Sequence, residues 1–457
     1  MDHLIWFGHS NEYFNYRHHE VQSLRLLGSD SSVSSHSEVF SSAESSLPYH
    51  IVKGAVSDDW ESVVSRAVLT KGVIEIWGQG QSPDDVIRDM ESRFPASKRA
   101  AYLNPQTTFC YEVITYGRKC SFTDQRRLMD SFQPLFKGDE PASMKQPDVI
   151  LWIIEMSTHT LGSSTLDGPR YFYGRQLAPH ARLCFQENPR LKYSLSDRPV
   201  LGPTTLDNDL AFIMANYAEV KPGVTVLDPF CGTCGILITC ASLGGRVFGS
   251  DLDIRVLNGT QVTYSKGGQS RKDVLLNFEH YGLHAPELVA MDVTARMWRR
   301  LPMFDRIVTD TPYGIRACTK KVAVRATDVT ERDGYTPKLA QNADVEENLL
   351  DVAVDTLVPG GLLVFLMHID LIDLFTADEV CELQANPQGK VCVQTRPADG
   401  KLSVYAPETA RALPLLDESR ARSLIPQREG LEYVASALQV LTAGTGRLLV
   451  KMQRKIV

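Results

Sequence analysis

The apolar residues of the second half of the chain follow a regular alternation of two spacings. Short apolar runs predict strands at residues 224–227, 246–250, 287–291, 304–309, 362–367, 391–394 and 447–452. Helical spacing at residues 236–243 and 345–358 predicts helices, and Pro359-Gly360-Gly361 is a stop signal for the second one. Strands that alternate with helices imply an α/β domain with a parallel sheet and right-handed crossovers.

The first half is less regular. Apolar residues at Val21, Leu24 and Leu27 predict a helix, and residues 119–136 also have helical spacing. Runs at residues 73–77, 109–116 and 149–154 predict strands. We therefore expect one mixed α+β domain over residues 1–160. Ten serines in the eighteen residues 29–46 predict a disordered insertion within it.

The composition is that of a soluble globular protein. The chain has 457 residues, with 55 acidic against 48 basic side chains and a net charge of -7. It has no basic, apolar N-terminal signal and no apolar run near the roughly 20 residues that span a bilayer. Its nine scattered cysteines indicate reduced thiols. We expect a cytoplasmic location and no membrane partner.

Residues 161–200 read as a basic linker between two domains. Its arginines at positions 170, 175, 182 and 198 lie among aromatic residues, a combination that can hold phosphates and stack bases. The candidate RNA contacts are Arg170, Arg175, Arg182 and Arg198. The alternative interpretation is a solvated linker with no ligand.

Four consecutive predicted strands of the second half are followed by an aspartate: Asp228, Asp251, Asp292 and Asp310. A single aspartate at such a place is usually a helix N-cap. In an open α/β sheet, however, the carboxyl ends of the strands line the ligand crevice. Four in succession favour a binding site.

The first candidate cluster is Asp228-Pro229-Phe230-Cys231-Gly232-Thr233-Cys234-Gly235. Small residues after a strand let a backbone approach a ligand closely. Asp251 follows Asp228 by 23 residues, near the spacing at which a carboxylate holds a ribose. A dinucleotide is disfavoured because G-x-G-x-x-G is absent, whereas acidic charge suits the cationic S-adenosylmethionine. Cys231 and Cys234 could be a redox pair or half a zinc site, but they lack second ligands at suitable spacing, and we predict no metal.

The second cluster is Asp310-Thr311-Pro312-Tyr313-Gly314. An acid, a carbonyl in a rigid turn and an aromatic face can hold a planar amine. Asp310 and the Thr311 carbonyl would accept its two N–H groups, and Tyr313 would stack on the ring. Such acceptors stabilise the positive charge that develops when the nitrogen is methylated. The alternative is a turn that caps a helix.

At these two clusters the chain resembles the class I S-adenosylmethionine-dependent amino-methyltransferases with D-P-F-x-G-T-G and D-P-P-Y-G motifs. It resembles most closely the catalytic subunits of eukaryotic tRNA (guanine-10-N2)-methyltransferases, through residues 13–17, 173–175, 202–207 and 210–216 as well. The resemblance implies a Rossmann-like domain with a mostly parallel seven-stranded sheet over residues 201–457. It implies a THUMP-type RNA-binding domain before it.

The resemblance also implies roles for individual residues. The cofactor would be lined by Thr205, Asp228, Pro229, Phe230, Gly232, Asp251 and Asp292, with Asp251 on the ribose. The amine pocket would be Asp310, Thr311, Pro312 and Tyr313. Cys234 stands where the family has glycine. Thr311 stands where it has proline, which keeps the carbonyl but loses the rigidity of the ring.

The implied function is transfer of a methyl group to the N2 amine of a tRNA guanosine, guanosine 10 in the family. The implied partner is a small zinc-binding activator subunit in a heterodimer, covering apolar surface at the sheet edge. Three alternatives stay open: another RNA guanosine, a different amine such as adenine in DNA or a protein amide, and a decayed, non-catalytic RNA-binding subunit.

Overall fold

The protein is described here by a computed structural model. It describes residues 1–7, 13–28, 47–54, 59–116, 120–156, 170–178, 192–202, 205–259, 264–265, 273–295, 298–312, 320–321, 338–339, 342–374, 393–395, 403–405, 418–441 and 445–456. The predicted serine-rich insertion, residues 29–46, lies outside these ranges.

The N-terminal region is built on a six-stranded sheet. Its strands are β1 (His3–Trp6), β2 (Tyr49–Val52), β3 (Gly72–Gly80), β4 (Phe109–Tyr116), β5 (Val149–Met156) and β6 (Tyr171–Ala178). The order is β2-β1-β3-β6-β5-β4, and only β4 and β5 run parallel. Side chains of β5 alternate, so that Leu151 and Trp152 join different apolar clusters. The sheet is therefore covered on both faces.

The helices in this part of the chain are α1 (Arg17–Gly28), α2 (Trp60–Arg66), α3 (Pro83–Arg93), α4 (Ala96–Arg99) and α5 (Phe122–Ser131), with 3-10 turns at Phe14–Tyr16 and Gln133–Leu135. Local sequence explains their starts. The Ser82 hydroxyl accepts a bond from the Asp85 amide, and Ser121 forms a capping box with Asp124. The helices predicted around Val21 and over residues 119–136 are confirmed.

Strand β6 corrects the predicted domain boundary. It pairs with both β3 and β5, and Trp152 Nε1 donates to Gln176 Oε1 at 3.0 Å. Residues 170–178 are therefore an interior strand of the N-terminal sheet, not part of a linker that begins at residue 161. The sequence of this strand alternates poorly because Gly174 and Arg175 interrupt it.

The C-terminal region contains a seven-stranded sheet. Its strands are β7 (Thr225–Asp228), β8 (Arg246–Asp251), β9 (Glu287–Ala290), β10 (Phe304–Asp310), β11 (Leu357–Asp370), β12 (Leu431–Val440) and β13 (Thr445–Arg454). The order is β9-β8-β7-β10-β11-β13-β12. The first five strands run parallel and β13 runs antiparallel to both of its neighbours. The predicted mostly parallel seven-stranded sheet is confirmed.

One predicted strand of this sheet is wrong. Val393–Thr395 pairs with Ser403–Tyr405 in a separate two-stranded ribbon, and the sixth strand is β12. Apolar spacing missed β12 because Ala435, Ser436 and Ala437 have weak strand preference, and because the register shifts between Tyr433 and Ala435. Strand β11 also begins before Pro359, directly where the preceding helix ends.

The helices here are α6 (Asn208–Tyr217), α7 (Gly235–Ser242), α8 (Ile254–Leu257), α9 (Leu275–Tyr281), α10 (Asn342–Thr356) and α11 (Glu418–Leu424), with 3-10 turns at Val293–Ala295 and Leu371–Asp373. Two further ribbons pair Val200–Leu201 with Tyr264–Ser265 and Lys320–Lys321 with Lys338–Leu339. Among the described residues, no helix has the length and apolar character needed to cross a membrane.

Candidate active site

The sheet order brings three of the predicted aspartates to one edge. Strand β7 lies between β8 and β10, all three parallel, and these strands end at Asp228, Asp251 and Asp310. The chain leaves β7 toward β8 on one side and returns on the other side as β10. This is the topological switch point at which open α/β sheets bind ligands.

Asp228 lies behind the loop that follows β7. Its side chain is 2% exposed, and its Oδ1 accepts bonds from Thr309 Oγ1 at 2.5 Å and from the Phe230 amide at 3.1 Å. Burial is the main cause that raises the pKa of Asp228 to about 7; the charges of Asp251 and Asp310 also raise it, whereas the bonds from Thr309 and Phe230 lower it. Asp228 thus acts on the crevice by its charge and by fixing the loop.

The loop itself is held at both ends. The Cys231 amide donates to the Ser250 carbonyl at 2.9 Å, and the Gly232 amide donates to Asp251 Oδ2 at 2.9 Å. Gly232 has φ +49°, and a Cβ placed on it would meet nothing within 4 Å, so this turn faces open space. A backbone with these features can lie against a ligand.

Cys234, which replaces the glycine of the family motif, has a backbone conformation that glycine favours. Its φ is 63°, in the left-handed region that glycine adopts without cost, and it forms the N-cap of α7. The thiol is fully buried, and so is most of Cys231, whose pKa is raised by the Cys234 side chain and by burial. Both cysteines are free. Within the described part of the chain, no group of three or more His, Cys, Asp or Glu side chains could hold a metal.

Asp251 joins β8 to this loop. Its Oδ1 accepts a bond from the Asp253 amide at 2.8 Å, while Oδ2 accepts the bond from Gly232. Burial raises the pKa of Asp251. Each carboxylate oxygen can accept a second bond. The half-buried side chain can therefore hold the loop and two hydroxyl groups of a ligand together.

The remaining predicted cofactor residues flank this loop. Thr205 Oγ1 bonds to the Gly202 amide at 2.9 Å and lies 3.2 Å from Thr233 Oγ1. The Pro229 carbonyl accepts a bond from Ser250 Oγ at 3.2 Å. Asp292 caps the 3-10 turn Val293–Ala295, with Oδ1 at 2.8 Å from the Thr294 amide. The N-cap role considered for strand-end aspartates therefore applies to Asp292 in addition to any ligand contact.

Asp310 differs from the other acids. Its Oδ1 is buried and has no hydrogen-bond partner among the described residues. Burial raises the pKa of Asp310 to about 6, against the opposing charge of Arg447. A carboxylate in this state is a stronger proton acceptor than one bonded on all sides, and it is well placed to take an N–H bond from a ligand.

The second departure, Thr311, is compensated in the structure. Its hydroxyl donates to the Leu366 carbonyl of β11 at 2.6 Å, and the residue is 3% exposed. The expectation that Thr311 loses rigidity is therefore wrong, because this bond fixes the residue in place of a proline ring. Pro312 is half-buried, and Tyr313 lies outside the described residues.

Two of the predicted RNA contacts do not fit the structure as expected. Arg198 is 1% exposed, and its Nη2 donates to the Tyr193 carbonyl at 3.1 Å, so the prediction that it contacts phosphate is wrong. Arg175 lies over the Tyr102 ring, 4.3 Å from its centroid, and its Nε is 3.4 Å from Glu75 Oε2. Arg170 is exposed, and Arg182 lies outside the described residues.

Motif reasoning did not find Thr309, Ser250 or Arg447. Thr309 and Ser250 are fully buried hydroxyl residues directly before a predicted site aspartate. A polar residue at the interior end of an apolar strand is the signal that could have identified them. Arg447 offers no such signal, because it lies 137 residues after the aspartate on which it acts.

Two family models match consecutive parts of the chain. Residues 1–182 match the Tmrp11 THUMP N-terminal domain, and residues 196–326 match the RMKL-like methyltransferase domain. The chain therefore carries a THUMP N-terminal domain followed by a methyltransferase domain. The predicted resemblance and the predicted order of the two domains are confirmed. The match of the first model to residue 182 agrees with the inclusion of β6 in the N-terminal domain.

Relatives match this chain over most of its length and most of their own. The human tRNA (guanine(10)-N(2))-methyltransferase TRMT11 is 28% identical, over 78% of this chain and 77% of its own. The Dictyostelium discoideum protein of the same name is 29% identical, over 78% and 72%. The crystal structure of TrmN from Thermus thermophilus covers 99% of this chain and 100% of its own at 16% identity, with a TM-score of 0.42.

Proposed function

We propose that this chain transfers a methyl group from S-adenosylmethionine to the N2 amine of a guanosine in tRNA, at position 10. The observation that carries the proposal is the Asp310 carboxylate. It has a buried oxygen without a hydrogen-bond partner in the described part of the chain, beside the fixed residue Thr311, at the switch point of the sheet. The THUMP domain and the names of the relatives support tRNA as the substrate.

The residues around the β7 loop fit S-adenosylmethionine. Asp251 has acceptor capacity left for ribose hydroxyls, and the open turn at Gly232 allows close approach of the backbone. The acids Asp228, Asp251 and Asp310 give the crevice a negative field, which suits a ligand with sulfonium and ammonium groups. Asp292 would lie near the adenine. This chemistry needs no metal in this chain.

The residues of the amine pocket then have distinct tasks. Bound S-adenosylmethionine supplies a methyl group on a sulfonium sulfur, which keeps the electron pair of the broken C–S bond. Asp310 and the Thr311 carbonyl accept the two N–H groups of the guanine amine and orient the nitrogen lone pair. The amine gains one methyl group and loses one proton, and Asp310 is the acceptor for that proton. Pro312 would restrict the backbone of the turn through its ring, and Tyr313 would stack on the base.

The proposed tRNA contacts are arginines near the end of the N-terminal domain that the structure does not show to be buried. Arg170 is exposed at the start of β6, so this arginine and Arg182 are the proposed phosphate contacts. Only a part of the Arg175 guanidinium is left to contact phosphate, because Glu75 pairs with it and the Tyr102 ring packs against it. Phosphate contacts position a nucleic acid without specifying its sequence.

We place the small zinc-binding activator subunit of the proposed heterodimer at strand β9. Among the described strands β9 pairs only with β8, which leaves its other edge open. Leu252, Ile254 and Val289 are 41%, 57% and 42% exposed beside this edge. An open strand edge next to exposed apolar side chains is suited to β-augmentation by a partner. Replacing Ile254 with Glu should then weaken co-purification of the activator, whereas Ile456→Glu, also on an exposed residue, should not.

The function is tested with two tRNAs that differ only in the presence of the N2 amine at position 10. The purified chain and its activator would be incubated with labelled cofactor and with tRNA carrying guanosine or inosine at position 10. Inosine lacks the N2 amine. We expect N2-methylguanosine from the first tRNA and no transfer to the second, by mass spectrometry of nucleosides. Equal labelling of both tRNAs, or a methylated adenosine, would contradict the proposal.

A further inference from the structure

Four polar residues project from one face of the C-terminal sheet beside the amine pocket. Asp310 pairs with Leu366 across β10 and β11, and His368 pairs with Arg447 across β11 and β13. Arg447 in turn pairs with Gln439 of β12. Paired residues share a face, and residues two apart on a strand share it too. Asp310, His368, Arg447 and Gln439 therefore lie on the same side of the sheet.

Arg447 is held in a fixed direction on this face. It is 8% exposed, and its Nε donates to Gln439 Oε1 at 2.6 Å. That bond occupies the side of the guanidinium next to β12. Its Cα lies two strand spacings, about 10 Å, and two residues, about 7 Å, from that of Asp310. An extended arginine and an aspartate can bridge such a separation.

We propose that Arg447 is a positioning residue of the methyl-transfer site, whose guanidinium keeps the Asp310 carboxylate ionised and oriented toward the amine. This inference rests on the proposed function for the identity of the amine. The interaction between the Arg447 and Asp310 side chains does not depend on the proposed function, and it can be measured separately.

The charges around Asp310 support this role. Asp228 of β7 and Asp251 of β8 are the other acids of the crevice, and the charges of Asp251 and Asp310 help to raise the pKa of Asp228. His368 is on the adjoining strand, and burial and the charge of Arg447 lower its pKa to about 4, so it is neutral at physiological pH. Burial raises the pKa of Asp310, and Arg447 is the cation that opposes this rise. Without Arg447 the acid would be protonated in a larger part of the physiological pH range.

The first experiment is a pH profile of kcat for the full chain at saturating cofactor and tRNA. The wild-type rate should rise with pH through about 6, where Asp310 loses its proton. Arg447→Gln should move this rise upward by about one pH unit or more, so that the rate at pH 6 falls about fivefold or more. Arg447→Lys keeps the charge and should restore most of the profile. Arg454→Gln, at the far end of the same strand, is the matched control and should leave it unchanged.

The second experiment needs no activity. Asp310→Asn would be introduced into the wild type and into Arg447→Gln, and urea unfolding would be measured at pH 8. If the two side chains interact, Asp310→Asn should raise the urea midpoint more in the Arg447→Gln background, because there it removes an uncompensated buried charge.

Equal shifts of the midpoint in both backgrounds would overturn the inference, as would an unchanged pH profile in an active Arg447→Gln variant. A wild-type chain that methylates no guanosine would instead contradict the proposed function. In that case the unfolding cycle still tests the pair of Asp310 and Arg447.

Discussion

The two loops that follow β7 and β10 meet at the same sheet edge but are built in opposite ways. After β7, Asp228 and Asp251 both use their oxygens to fix the turn, through Phe230, Thr309 and Gly232. After β10, Thr311 is fixed to β11, while Asp310 Oδ1 has no partner among the described residues. The first loop is ordered in advance for binding. The second retains an acceptor for the chemistry.

The largest expected effect comes from removing that acceptor. Asp310→Asn should lower kcat by roughly 100- to 1,000-fold, comparable to the loss of one group that stabilises transition-state charge. The dissociation constant of S-adenosylmethionine, measured by calorimetry, should change little, because the β7 loop is intact. A variant with near-normal turnover would remove the contrast between the two loops.

Asp228 tests the other side of the comparison. Asp228→Ala leaves the Phe230 amide and the Thr309 hydroxyl without their acceptor, and it should lower the free energy of unfolding by about 2–3 kcal/mol. Asp228→Asn keeps an acceptor oxygen and removes the buried charge. Urea unfolding of both variants at pH 8 should therefore separate the hydrogen bonds from the charge.

The pH dependence has a definite sign for Asp228. Its folded pKa of about 7 lies above that of an unfolded aspartate, so its contribution to stability is fully present below about 4 and is lost as the pH rises through 7. Asp228→Asn should thus gain stability relative to wild type between pH 5 and 8. A constant difference across that range would show that Asp228 is not titrating as described.

Asp251 should affect binding more than turnover. Asp251→Ala removes acceptors for the ribose and for the Gly232 amide, and the cofactor dissociation constant should rise about 10- to 100-fold. Asp253→Ala, which replaces a half-buried acid in the same turn, is the control. An unchanged dissociation constant in Asp251→Ala would place the ribose elsewhere.

The smallest expected effect separates two arginines that look alike in sequence. Arg170→Gln should weaken tRNA binding and reduce the log–log salt slope by up to about one unit. Arg198→Met should instead change stability and leave that slope unaltered, since its side chain is buried. Salt titrations of tRNA affinity for the two variants decide this, and equal slopes in Arg170→Gln and wild type would exclude a phosphate contact.

Local pattern was sufficient for much of the fold. The strands that end in Asp228, Asp251 and Asp310 were predicted within one or two residues, because buried parallel strands form continuous apolar runs. It was not sufficient where strands are short of apolar residues, as in β12, or where Gly174 and Arg175 break the alternation in β6. Local pattern also did not predict that Arg198 is buried, because the burial of a charged side chain depends on neighbours that are distant in sequence.

The sequence by itself determined the order of the two domains, the parallel core of the second sheet and the acids that end its strands. These follow from periodicity and from motifs within a few residues. Only the tertiary structure decided which acid has an oxygen without a hydrogen-bond partner among the described residues, how Thr311 is fixed without a proline ring, and that Arg447 lies on the same face of the sheet as Asp310. Those facts arise from strand order and register, which join positions such as 310, 366 and 447 that no local pattern connects.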